Sequence, residues 1–224
     1  MKGIDLSHHN GEVDFSKLKS QGIDFVILRA GYGRYTKQKD SRFEVNYLEA
    51  KKNGLHVGAY WYSYAKDAVE ALAEAKTCEQ VLYGKQFDLP IFIDIEEKIS
   101  QSKAVEIADV FCSYMRSKGF YPGVYASKSY LETYLQGVSQ RYPIWVAQWA
   151  SKCSYNGCYC IWQNSDKGRL DGINGYVDTD VLLEDDLPMY IINNAFNGYV
   201  PEVPDKTKLL VIYLGGEKIF EKLL

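Results

Sequence analysis

Apolar residues along this chain gather into short dense runs, separated by longer stretches in which they recur every three or four positions. The runs lie at residues 2–6 (KGIDL), 24–30 (DFVILRA), 55–62 (LHVGAYWY), 89–95 (LPIFIDI), 120–126 (FYPGVYA) and 144–149 (IWVAQW). Near-continuous apolar stretches of this length read as strands buried on both faces. Two weaker candidates follow at 159–163 (YCIWQ) and 174–180 (NGYVDTD).

The intervening segments read as helices. In 42–53, Phe43, Tyr47 and Ala50 recur at helical spacing before Gly54. In 67–83 the stripe is Ala71, Leu72, Ala75, Cys78 and Leu82 before Gly84, and in 101–118 it is Ala104, Ala108, Phe111, Cys112 and Met115 before Gly119. A glycine just past a periodic stretch is a common helix stop. Shorter helices are predicted near 15–20 and 128–136, and beyond about residue 140 the helical pattern fades.

The order is therefore five strand–helix units and then three strands. That is an α/β fold, a flattened barrel of the (β/α)5β3 kind spanning residues 1–187. An open doubly wound sheet is the competing architecture, but no glycine-rich phosphate fingerprint follows the first strand. Residues 188–206 hold three Asn and three Pro and read as a linker. Residues 207–214 and 217–223, around Gly215 and Gly216, predict a terminal hairpin, a short extension of unknown role. Because a lone hairpin is marginal in water, it is expected to dock on the barrel, begin a further module or pair with a second chain as a homodimer.

Composition narrows the chemistry. At 224 residues and 46% hydrophobic, the chain can bury one sizeable core. Its net charge is −3 with no basic run, which argues against a nucleic-acid partner. No segment is apolar over the length of a membrane span, and MKGIDLS resembles no secretory signal, so synthesis in the cytoplasm is expected, with release by another system if the protein acts outside. Cys78, Cys112, Cys153, Cys158 and Cys160 form neither a disulfide framework nor a four-ligand zinc site, and read as free thiols. The 19 tyrosines suit a carbohydrate cleft, since phenol rings stack on sugar faces and carry a polar tip, though core and surface packing accounts for tyrosine equally well.

Three acidic clusters fall where strands end: Asp5, the pair Asp94 and Glu96, and Asp178 with Asp180. Asp94 and Glu96 are two residues apart, so on a strand they share a face with Cα atoms about 6.6 Å apart. Like charges crowded at a half-desolvated rim push one pKa upward, giving a proton donor beside a carboxylate, the pairing that glycoside hydrolysis uses. A solvated acidic loop is the plainer account of 94–97, and Asp5 or Asp178 could each serve a turn.

His8 and His9 point to opposite sides of an extended segment, which fits a polar loop or substrate contact better than a metal site. Aromatic candidates at the same rim are Tyr32, Tyr60, Trp61, Tyr62, Tyr64, Tyr125, Trp149 and Trp162. By alternation Tyr60, Tyr62 and Tyr64 share one side and Trp61 takes the other.

The segments GIDLSHHNGEVDF, FVILRAGYG, GAYWYSYA, IFIDIEE, YPGVYAS, PIWVAQWA and the stretch from IWQNSDKG to VDTDVL occur in this order over about residues 2–185. Together they resemble the family 25 glycoside hydrolases, the Chalaropsis-type lysozymes of phage endolysins and bacterial autolysins. The resemblance implies an N-acetylmuramidase that cuts peptidoglycan between N-acetylmuramic acid and N-acetylglucosamine, with no cofactor and no metal. It implies Glu96 as proton donor, Asp94 as its partner carboxylate, and Asp5 and Asp178 as supporting acids. Tyr62 and Gln163 match cleft positions, and Tyr32, Tyr60, Tyr125 and Trp149 complete the expected substrate-binding set. Where the family's last motif usually reads Val-Asp-x-Asn, this chain has Val177-Asp178-Thr179-Asp180. A catalytically silent wall-binding barrel and another N-acetylhexosaminide-cleaving glycosidase are the alternatives.

Overall fold

The computed structural model describes residues 1–201, 209–214 and 217–223. Eight strands close into a barrel in chain order. They are β1 (Lys2–Leu6), β2 (Phe25–Tyr32), β3 (His56–Tyr62), β4 (Ile91–Asp94), β5 (Pro122–Ser127), β6 (Ile144–Ala147), β7 (Ile161–Gly168) and β8 (Val177–Leu182). Neighbours from β1 to β7 are parallel, while β8 closes the ring antiparallel to both β7 and β1. Five helices fill the crossovers: α1 (Phe15–Ser20), α2 (Phe43–Lys52), α3 (Ala68–Leu82), α4 (Ala104–Ser117) and α5 (Lys128–Tyr134). The five strand–helix units and three closing strands read from the sequence are all present.

Strand alternation divides the apolar residues between two cores. Leu6, Val26, Leu28, Trp61 and Ile93 face the helices, where they meet Ala71, Ala75, Phe111 and Met115. Phe25, Ile27, Phe92, Trp145, Ile161 and Leu182 fill the barrel itself. Small residues make room for the large ones: a Cβ on Gly123 would stand 2.6 Å from the Phe92 ring. Gly54 ends α2 at φ 67° and Gly119 follows α4 at φ 82°, left-handed values that glycine adopts without a Cβ clash.

The inward face changes character along the barrel axis. On β2 it runs from Phe25 and Ile27 to Arg29, on β4 from Phe92 to Asp94, and on β7 from Ile161 to Gln163. Antiparallel β8 reverses the order, from Asp178 and Asp180 to the buried Leu182. Polar side chains therefore collect at the carboxyl ends of the parallel strands, the end of an α/β barrel where ligands bind.

The segment read as a linker from residue 188 differs from expectation. Residues Leu187–Asn193 form α6 with Pro188 in its first turn, and Leu187 and Ile191 are buried against the barrel interior. Asn197 is fully buried. Its side chain donates to Phe87 O at 3.3 Å and Leu89 O at 2.8 Å, and accepts from Tyr121 N at 2.7 Å. Asp88, paired with Lys51 at 3.0 Å, also bonds the Tyr199 hydroxyl. This segment closes the end of the barrel opposite the polar mouth. Its asparagines read as turn residues because their amides replace strand partners that sequence spacing does not reveal. Strands β9 (Leu209–Leu214) and β10 (Glu217–Leu223) pair antiparallel in a separate two-stranded sheet.

Candidate active site

The polar mouth encloses a cavity of about 300 Å³. Asp5, Asp94, Glu96 and Asp178 all line it, as do Tyr60, Tyr62, Tyr125 and Gln163. Their convergence follows from register. Asp5 lies directly opposite Asp178 across β1 and β8, and Asp94 lies level with Tyr62 on β3 and Tyr125 on β5. Backbone hydrogen bonds hold the end of β4 on both sides: Ser63 N donates to Asp94 O at 2.9 Å, and Ile95 N donates to Tyr125 O at 3.1 Å.

Two expected cleft residues do not line the cavity. A bulge between Arg29 and Gly31 carries Tyr32 level with Tyr62, where it meets Tyr64 edge-on at 6.1 Å. Trp149 lies beyond the end of β6 and is 60% exposed, yet its Nε1 donates to Gln163 Oε1 at 3.2 Å. Trp61 is buried among the helices, donating Nε1–H to Gly33 O at 2.9 Å. Trp162 packs on the same outer core and donates to Gln148 O at 2.8 Å.

Sequence reading assigned no cleft role to Arg29, Trp145, Tyr176, Ser7 or Asn10, and offered His9 only as part of a polar loop or a substrate contact; all six line the cavity. Arg29 had a signal, a single charge inside an apolar strand. Its Nε donates to the buried Asp40 at 2.8 Å, and His8 Nδ1 meets the same carboxylate at 3.1 Å. Trp145 alternates with the outward Ile144 and Val146. Its ring lies 4.4 Å from that of Tyr125 and 5.8 Å from that of Tyr60, forming an aromatic floor.

The carboxyl groups differ in environment. Asp94 is 4% exposed, and its Oδ1 is buried without a hydrogen-bond partner. Burial first, then the charges of Glu96 and Asp5, raise its pKa well above the usual carboxylate range, while Arg29 opposes the shift. Glu96 stands at the open mouth, walled by protein on one side. Burial raises its pKa, the neighbouring Tyr62 hydroxyl lowers it, and the Glu97 charge raises it again. That hydroxyl gives its hydrogen to Glu97 Oε1 at 2.7 Å.

Asp5 is pushed up to about 8 by burial and by Asp178, against a 2.8 Å hydrogen bond from Gln163 Nε2. Asp178 is raised to about 6 by burial and by Asp166 and Glu96. So many acids around one cavity ionise as a group rather than singly. Among the described residues no His, Cys, Asp or Glu side chains gather as a metal-binding set of three or more, and no helix is long and apolar enough to cross a membrane.

Residues 4–173 match the family described as Glycosyl hydrolases family 25. The chain is 32% identical over 188 residues to the autolytic lysozyme of Clostridium acetobutylicum, a match covering 82% of this chain and 56% of that protein. It therefore spans little more than half the length of that relative. The crystal structure of the CTP1L endolysin superposes with a TM-score of 0.76 at 27% identity, covering 85% of this chain and 68% of the endolysin chain. The modular autolysin LytC of Streptococcus pneumoniae superposes with a TM-score of 0.71 at 26% identity, covering 80% of this chain and 46% of the autolysin.

Proposed function

The chain belongs to the glycosyl hydrolases of family 25, and from that membership we propose that it is a muramidase, cleaving the β-1,4 bond between N-acetylmuramic acid and N-acetylglucosamine in peptidoglycan. The observation that carries this reading is the meeting of Asp5, Asp94, Glu96 and Asp178, from the first, a middle and the last strand of the barrel region, around one open aromatic-walled cavity. The substrate is a bacterial wall, so the site of action is the cell wall.

In this reading Glu96 protonates the departing glycosidic oxygen. Burial shifts its pKa upward, which favours the protonated form a donor needs, and its place at the mouth lets it reach an exposed glycan strand. Asp94 accepts the N–H of the sugar's 2-acetamido group. That donor would satisfy the buried Oδ1 that has no partner in the free protein. The oriented acetamido oxygen attacks the anomeric carbon, and the acids gathered around it favour the positive charge that develops. Glu96 then takes a proton from water, which opens the cyclic intermediate with overall retention. Tyr60, Tyr125 and Trp145 supply ring faces and edges against the sugar.

Product analysis on defined muropeptides tests the assignment. Reducing ends are expected at N-acetylmuramic acid, with the β-anomer formed first in proton NMR. An initial α-anomer overturns the retaining route, and wall binding without any release of reducing ends overturns the hydrolase itself.

A further inference from the structure

The floor of the cavity holds one more acid than the proposed reaction uses. Asp180 is 2% exposed and follows Asp178 by two residues on the same inward face of β8. Its Oδ1 accepts the Trp145 indole N–H at 2.8 Å. Its Oδ2 is buried, and as a bare carboxylate oxygen it has no partner. Register sets Asp180 level with Gly3 of β1 and Gln163 of β7, one rung from Asp5, whose Oδ2 already takes the Gln163 amide at 2.8 Å. Asp5 and Asp180 thus stand on neighbouring inward rungs of paired strands, near enough for each to bear on the other's ionisation. Two ionised carboxylates placed there could not hydrogen-bond, because neither has a hydrogen to give.

We propose that Asp180 is a positioning residue, which keeps its proton on Oδ2 and donates it to Asp5. The bond fixes the Asp5 carboxyl between two donors, Asp180 and Gln163. It also spares the floor a second buried negative charge, which no nearby cation is free to offset. The ionisable groups facing the pair are Arg29 from β2, Tyr60 from β3, Asp94 from β4, Tyr125 from β5 and Asp178 from β8 itself. The inward side chains of β6 and β7 beside the pair, Trp145 and Gln163, do not ionise. Arg29 is already committed to Asp40. Burial first, then the Asp5 charge, hold the Asp180 carboxyl well above its ordinary range, in keeping with a retained proton.

This role rests on the muramidase reading, but the retained proton has a test of its own. Asp180→Asn keeps an acceptor for Trp145 and a donor for Asp5 and cannot ionise. A carboxyl that stays protonated in the fold but ionises in the unfolded chain costs stability progressively as pH rises. The melting temperature of Asp180→Asn should therefore gain on wild type with pH, the gap at pH 8 exceeding that at pH 4 by on the order of 5 °C. Carbon-13 NMR of aspartate-labelled protein at pH 7 should show one more protonated side-chain carboxyl in wild type than in Asp180→Asn. In hydrolysis, kcat should fall at least roughly tenfold in Asp180→Ala with little change in KM, and Asp180→Asn should recover most of that loss. Parallel melting curves, or equal numbers of protonated aspartate carboxyls in wild type and Asp180→Asn at pH 7, would overturn the retained proton even if hydrolysis proceeds. A wild-type protein that releases no reducing ends would instead remove the muramidase reading and leave the melting and NMR tests standing.

Discussion

Asp94 and Glu96 stand two residues apart, yet one is sealed beneath the rim and the other opens to solvent. Their motif was legible as a pair of acids on one side of a strand end, and alternation correctly sent Ile95 into the packing behind, where it is fully buried. The division of labour proposed for the pair predicts two different losses. Glu96→Gln should lower kcat on the order of a thousandfold, measured as reducing ends released from purified walls, while leaving the melting temperature within a few degrees of wild type. Asp94→Asn should be nearly as damaging to kcat, but burial holds the Asp94 pKa well above its value in the unfolded chain, a difference that costs stability at pH 7 and that Asn removes, so thermal unfolding there should show equal or higher stability. Arg29 and Trp145 were harder to single out. Their types are compatible with packing, and only the inward parity of β2 and β6 turns them toward the cavity. Tyr32 was misplaced for a related reason: one extra residue in a bulge changes which neighbours a side chain meets.

The strands and five crossover helices were visible because each buries a continuous stripe, and periodicity reports burial directly. β4 illustrates the link to chemistry. Ile91, Phe92 and Ile93 anchor it in both cores, so the acid at its end is held rigidly. The helix at 187–193 and the turn after it were hidden, since they are too short to show a clear period and are fixed in part by the amide of Asn197. Asn197→Ala would strand two buried carbonyls and one N–H, and would place alanine at φ 53°. We expect a loss of about 3 kcal/mol in urea unfolding, with kcat per folded molecule little changed because the closure lies at the opposite end from the cavity. Unaltered stability would show that this closure is dispensable.

At the scale of the molecule, the acid cluster ties stability to pH. Asp5 is raised to about 8, Asp178 to about 6, and Glu74, buried beneath Ser63 and Tyr64, to about 7. Each folded-state pKa lies above its unfolded value, so the fold holds extra protons. That contribution is complete below about pH 4 and is lost as pH rises through about 6 to 8. Asp40 works the other way. Burial alone would raise its pKa, but hydrogen bonds from the Arg42 and His8 amides and from Arg29 outweigh it, so its contribution is lost as pH falls below the carboxylate range. The melting temperature should peak near about pH 4–5 and decline toward pH 8 in a calorimetric series; a flat profile would contradict the raised acids. For the two-stranded sheet of β9 and β10 we propose chain–chain pairing, to be checked by light scattering of the full chain against one ending at residue 201. An unchanged mass per particle would remove that idea. The sequence by itself determined the number and order of the barrel elements, because hydrophobic periodicity records which side of each strand and helix leaves water. It also marked the acids at strand ends, because charge so close to apolar runs is costly unless put to use. What only the tertiary structure decided was which side chains share a surface: Asp5 beside Asp178, Gln163 between Asp5 and Trp149, Asp180 beneath Trp145. Those meetings depend on strand register, ring closure by an antiparallel β8 and one bulge, and such long-range pairings leave no period in the chain.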